Sequence, residues 1–134
     1  MNCVFCGIVQ GKIPAHIILD RDNVMAFLDI NPVAPGHTLV IPKKHYETLL
    51  EIPKEILAEL FEAVKAVSKA LLKYGYEGVN VLSNVGRAAG QVIMHAHVHV
   101  IPRKSGDGLF PRPNVKRASD EELKRIAEEL RGLL

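Results

Sequence analysis

Three imidazoles stand two residues apart in the run His95-Ala96-His97-Val98-His99. Side chains alternate along a strand, so these three would share one face while Ala96, Val98 and Val100 point into a core. Three chemistries fit such a stripe. It could be a solvent-facing polar row. It could be a metal cluster, since neutral imidazole is the commonest metal ligand. Or it could hold a nucleophile: an imidazole of unperturbed pKa about 6.5 is largely neutral at pH 7 and attacks without an added base.

The preceding segment, Asn84-Val85-Gly86-Arg87-Ala88-Ala89-Gly90-Gln91, is rich in small residues. A glycine loop lets backbone N–H groups come close to phosphate oxygens. Glycine turns are common between strands, but next to three same-face imidazoles this one describes a phosphate cradle beside a nucleophile. A second group with chemical potential is the pair Cys3 and Cys6 in Cys-x-x-Cys spacing. It reads as a redox pair, as half of a zinc site or as two free thiols. The redox reading lacks the βαβ context it usually needs.

The elements that must carry these residues are short. Ile17-Ile18-Leu19 and Val24 to Leu28 read as strands joined by a turn at Asp20 to Asn23, and Thr38 to Ile41 as a buried strand ending at Pro42. Val79 to Leu82 and Val98 to Val100 add two more, the last running until Pro102. From Pro53 to Tyr74 the apolar spacing is helical, with proline suited to the first turn and Gly75 to the stop. Ser119-Asp120-Glu121-Glu122 is a capping signal for a final amphipathic helix, over about 119–131. Strands come in clusters, which predicts an α+β domain with a largely antiparallel sheet of about five strands and two main helices.

The chain's 134 residues fit one domain, 1–134, able to fold without staples. Hydrophobic residues make up 48% and charged residues 24%, an ordinary globular balance. A net charge of +2 argues against a nucleic-acid partner. Apolar stretches are too short for a membrane span, and the first residues lack a basic start and apolar run, so a cytoplasmic location is expected. The Pro53–Tyr74 helix has a wide apolar face: Leu57, Leu60, Phe61, Val64 and Val67, broadened by Ala58, Ala63, Ala66 and Ala70. That exceeds what one side of a small sheet needs, and predicts a homodimer built on this helix and a neighbouring strand.

Taken together, His95-Ala96-His97-Val98-His99-Val100, Ala26-Phe27-Leu28-Asp29-Ile30, Gly36 to His45 and Ala88-Ala89-Gly90-Gln91 resemble the histidine triad (HIT) family. The resemblance covers roughly 3–103 and is closest to Hint-type and bacterial or archaeal HIT proteins, small homodimeric nucleotide hydrolases and transferases. It implies a HIT-like fold with His97 as nucleophile, forming a nucleotidyl-histidine. His99 would contact the phosphate, and His37 would belong to the network behind it. Asp29 would hold the ribose hydroxyls. Phe5, Ile8, Phe27 and Ile30 would stand around the base, and Asn84, Gly90 and Gln91 along the phosphate. Val92 stands where many Hint-type proteins carry Ser, so the side-chain donor of that position is missing. Asp29 to Pro32 also reads as plain turn chemistry.

The implied substrates are purine nucleoside phosphoramidates, cleaved at the α-phosphorus. A dinucleoside polyphosphate hydrolase is the close alternative, and a nucleotide-binding, zinc-containing module with little turnover is the alternative of another class. With His37, His97 and His99 given roles, His45 and His95 are the candidates to join Cys3 and Cys6 around a structural Zn²⁺. Four protein ligands would close the metal to water and leave the chemistry independent of it.

Overall fold

The computed structural model describes residues 3–110 and 113–134. Its centre is a five-stranded sheet of order β1-β2-β3-β5-β4, with every neighbouring pair antiparallel. The strands are β1 (Ile17–Asp20), β2 (Val24–Leu28), β3 (Thr38–Pro42), β4 (Gly78–Leu82) and β5 (Val98–Arg103). The helices are α1 (Val4–Val9), α2 (Lys54–Lys73) and α3 (Asp120–Arg131). The expected α+β class, five strands and two main helices are all present.

Alternation in the strands sorts the core into two faces. Val24, Ala26, Val40, Val98 and Val100 point to α2 and meet Leu60, Ala63, Val64, Val67 and Leu71. Burial of side chains of this size stabilises by about 1.5–3 kcal/mol each, enough to hold the helix across the sheet. Met25, Phe27, Leu39 and Ile41 point the other way and pack on Phe5 and Ile8 of α1. Cross-strand register then sets Phe27, Leu39, His99 and Leu82 in one row across that second face.

Local chemistry explains the ends. Pro53 and Tyr74 flank α2, and Gly75 follows with φ of 120°, a value that favours glycine. The Ser119 hydroxyl accepts the Glu122 N–H at 3.2 Å and starts α3. No side chain of α3 is buried. Among the described residues, no helix is long and apolar enough to cross a membrane.

Two features differ from the sequence expectation. β5 begins only at Val98, so His95 and His97 precede the ladder. The alternation still holds: Ala96 sits in the α2-side core, and its N–H donates to the Tyr46 carbonyl at 2.7 Å. β3 ends at Pro42 as expected, whereas β5 runs one residue past Pro102, which pairs with Val79, to Arg103.

Candidate active site

A cavity of about 570 Å³ lies on the sheet face opposite α2. Phe5, Ile8, Phe27, Asp29, Ile30, His37, Asn84, Gly90, Val92, His97 and His99 all line it. These come from α1, β2, the loop into β3, the loop after β4, and β5, so residues far apart in the chain meet at one site.

Backbone contacts fix the tautomers. His97 lies 2.7 Å through Nδ1 from the carbonyl of His95, which can only accept, so Nδ1 carries the proton and Nε2 keeps a free lone pair. The Val33 N–H donates to His37 Nδ1 at 3.1 Å, which puts the His37 proton on Nε2. That N–H donates to His99 Nδ1 at 2.9 Å, so the single proton of His99 sits on its Nε2. The triad face thus presents one lone pair and one N–H side by side, on rings whose centroids are 5.0 Å apart. A lone pair and a donor at this spacing suit attack on a phosphorus and support of its oxygen.

Burial holds these rings neutral. It lowers the pKa of His97 despite the His95 carbonyl and Asp29, which act the other way. It lowers His37 against the pull of Asp29. His99 falls to about 4, through burial first and then through its neighbours His97 and His37. Asp29 lies 3.7 Å from His37 Nε2. Its Oδ1 accepts the Asn31 N–H at 2.8 Å, the turn chemistry expected of this segment. The turn reading of Asp29 holds, and the residue also lines the cavity.

The glycine loop is a built feature. Gly86 and Gly90 flank a short 3₁₀ turn (Arg87–Ala89) at φ of 89° and 96°, which strongly favours glycine. The Asn84 amide donates to the Gly90 carbonyl at 3.4 Å. Gln91 departs from its expected place along the phosphate. Its side chain is turned inward, donating to the Glu47 and Ile93 carbonyls and accepting the Gly86 N–H. It is a strut of the loop and does not line the cavity. Val92 is 87% exposed at the rim, and Ile30 82%.

Sequence reasoning missed Val33, Leu82, Ile101 and Phe110 in the wall. Phe110 has the one positive φ among described non-glycine residues, 53°, with the Arg103 guanidinium 5.2 Å from its ring. Arg103 in turn holds Asp107 through two bonds and donates to the Leu109 carbonyl. Nothing in the local sequence marks that clamp. Leu82 and Ile101 were legible as strand residues, but their side of the sheet follows only from register.

A second cluster lies behind α1. One donor atom each of Cys3, Cys6, His45 and His95 falls within 4.8 Å of the others. Cys3 Sγ is 3.5 Å from His95 Nδ1, and Cys6 Sγ is 3.4 and 3.6 Å from Nδ1 of His45 and His95. Ligands about 2.0–2.3 Å from a tetrahedral Zn²⁺ lie roughly 3.3–3.8 Å apart, so the set fits a metal of that size. The His95 Nε2–H donates to the Pro42 carbonyl at 2.8 Å, leaving Nδ1 free to ligate. The Cys6 N–H points to Cys3 Sγ at 3.4 Å. Burial and the neighbouring Cys3 push the Cys6 thiol up.

The model of the HIT domain matches residues 10–106. An adenosine 5'-monophosphoramidase of Schizosaccharomyces pombe is 41% identical over 131 residues, spanning 97% of this chain and 96% of its own. A member of the HIT family from Bacillus subtilis superposes with a TM-score of 0.90 at 36% identity, covering 100% of this chain and 98% of that one. A Zn-bound histidine triad family protein from Mycobacterium smegmatis gives 0.79 at 38% identity, with 100% and 99% covered.

Proposed function

This chain belongs to the HIT family, and from that premise we propose that it is a nucleotide hydrolase or transferase acting at the α-phosphorus of purine nucleoside phosphoramidates. The observation that carries the reading is His97. Its Nδ1 proton is committed to the His95 carbonyl, and its Nε2 lone pair is free in a cavity of nucleotide size. Nε2 forms a bond to phosphorus as the bond to the leaving nitrogen breaks. Water then attacks phosphorus, the P–N bond to His97 breaks, and nucleoside monophosphate leaves. Two displacements replace one direct attack by water.

His99 supports the phosphoryl oxygen through its Nε2–H. It is not placed to act as the acid. Its Nδ1 accepts from His37, and His37 cannot release that role while its own Nδ1 accepts from Val33. The leaving nitrogen therefore takes its proton from water.

The remaining assignments follow the cavity wall. Asp29 receives the ribose hydroxyls; Phe5, Ile8, Phe27 and Ile30 enclose the base; Asn84, Gly90 and the Val92 main chain face the phosphate. Among the described residues the wall contains no Lys or Arg. A polyphosphate leaving group would bring several negative charges with no cation to meet them, which favours the phosphoramidate over the dinucleoside polyphosphate. Cys3, Cys6, His45 and His95 would hold a structural Zn²⁺, and four protein ligands would leave it no position for water. The chain is one domain and works as a homodimer in the cytoplasm.

Incubation with adenosine 5'-phosphoramidate labelled on phosphorus tests the chemistry. Acid-labile label is expected on the native protein and none on His97→Ala. Unchanged turnover in His97→Ala overturns the mechanism. Binding of adenosine monophosphate without turnover of any conjugate supports instead a nucleotide-binding module, the outcome that the missing donor at Val92 would produce.

A further inference from the structure

The metal cluster and the nucleotide cavity share a wall, and that wall is α1. Cys3 caps the helix and Cys6 lies on it, with their sulfurs turned to His45 and His95. Phe5 and Ile8 lie between and beyond them, in the wall of the cavity. The Phe5 ring packs edge-on against His95, His97 and Phe27, at centroid distances of 5.8, 5.2 and 5.4 Å. One side chain thus touches a metal-site histidine, the proposed nucleophile and the floor of the cavity.

Little else holds α1 in place. It has six residues, far below the roughly 12–15 at which a helix becomes marginally stable alone. Among the described residues, the backbone hydrogen bonds of segment 3–13 outside its helix are local, joining it only to itself. Its anchors to the sheet are the apolar side chains of Phe5 and Ile8, with partly buried Val9 beside them, and the two sulfurs. A metal ion would replace weak sulfur–imidazole contacts by four coordinate bonds, two of them to α1. A second hollow of about 550 Å³ is lined by Cys3, Cys6, Gly7 and Gln10, so the sulfurs border a space other than the nucleotide cavity.

We propose that metal occupancy and nucleotide binding are positively coupled, with Phe5 as the positioning residue that links them. This rests on the metal and nucleotide readings above. By linkage the coupling is reciprocal: whatever factor zinc adds to nucleotide affinity, nucleotide adds to zinc affinity. The coupling falls on binding and spares the chemical step. His95 could also transmit through its carbonyl, which holds His97. However, its ring is fully buried and bonded to Pro42 independently of any metal, so that carbonyl stays put.

The test uses the full chain, zinc-loaded and chelator-stripped, with adenosine monophosphate as probe. Calorimetry should show affinity for the monophosphate falling about ten-fold on stripping, within the usual range for coupled sites. Competition with a chromophoric chelator should show zinc held tighter by the same factor when the monophosphate saturates. Stripping should raise KM for the phosphoramidate and leave kcat within about two-fold. In zinc-loaded protein, Phe5→Leu should shrink the factor while zinc remains bound; the reciprocal measurement on native protein needs no variant. Three results overturn the proposal and are distinguishable. Absence of bound zinc removes the metal reading, and absence of monophosphate binding in both forms removes the nucleotide reading. Binding of both with a factor of one removes the coupling alone.

Discussion

His37 Nε2 stands 2.9 Å from His99 Nδ1, and the Val33 N–H on the far side of His37 fixes which of the two donates. His99 therefore turns a neutral N–H to the cavity, where the proposed mechanism would set the phosphate. A glutamine can place an amide N–H near the same point, whereas alanine cannot. His99→Gln should keep adduct formation within about ten-fold of the native rate, while His99→Ala should lose 10²-fold or more, the scale of one lost transition-state donor. Equal loss in both variants would mean that His99 acts as an acid. Single-turnover labelling from the phosphoramidate measures this directly.

The same pair makes the fold acid-sensitive. His37 and His99 are both held below the ordinary imidazole value, His99 at about 4, chiefly by burial. The unfolded chain takes up protons at about pH 6.5 that the folded chain refuses. Unfolding then consumes protons, so the stability these groups confer is fully present above about pH 6.5 and is lost as pH falls towards 4. Urea midpoints measured from pH 7.5 to 4.5 should fall, and should fall less steeply in His99→Gln. An identical slope in the two proteins would remove His99 from the account.

Asp29 has one hydrogen-bond partner in the structure and, on the proposed reading, a second in the ribose. Oδ1 accepts the Asn31 N–H, and the carboxylate faces the cavity, where the ribose hydroxyls would reach it. Asn at this position keeps an acceptor for Asn31 but loses the charge. A hydrogen bond to a charged group contributes about 1.5–3 kcal/mol, so Asp29→Asn should weaken adenosine monophosphate by about ten-fold or more. The 2',3'-dideoxy nucleotide should bind native protein as weakly as the parent nucleotide binds the variant. Native protein that fails to distinguish the two nucleotides would remove the ribose role.

What could be read before folding was whatever repeats locally. The two-residue spacing of His95, His97 and His99 against Ala96, Val98 and Val100 carries the two faces of the sheet, and the α2 spacing carries its helix. Helix α1 was not legible, because six residues show no period; it forms through the Cys3 cap and the packing of Phe5 and Ile8. Gln91 was misplaced for a related reason. Its inward turn depends on the Glu47 carbonyl, 44 residues away, and distance along the chain hides such a partner. Phe110 reaches the cavity through a backbone conformation and an arginine clamp that no local pattern announces. The roles proposed for Asp29 and His37 come from likeness to a family, and the structure sets the two side chains 3.7 Å apart.

Assembly is the remaining expectation, and β4 is where it can be tested. This strand ends the sheet, so among the described residues one side of its backbone has no partner strand, and Val81 and Leu82 are 47% and 42% exposed. An uncovered edge with apolar side chains is an invitation to pair. Helix α2 contacts β4 and leaves Phe61 and Leu72 exposed, 41% and 45%, after satisfying its own core. Two copies meeting edge to edge would cover both features with one two-fold axis, and such isologous pairs are the commonest small assembly. Sedimentation or light scattering at low micromolar concentration should therefore give about twice the 14.8 kDa chain mass. Val81→Arg puts a like charge on both sides of the axis and should shift the population to monomer with the fold intact by circular dichroism. Leu82 lines the cavity from that same strand, so the monomeric variant should also bind nucleotide less tightly. Native protein that sediments as a single chain at these concentrations would show that the exposed edge is guarded in some other way.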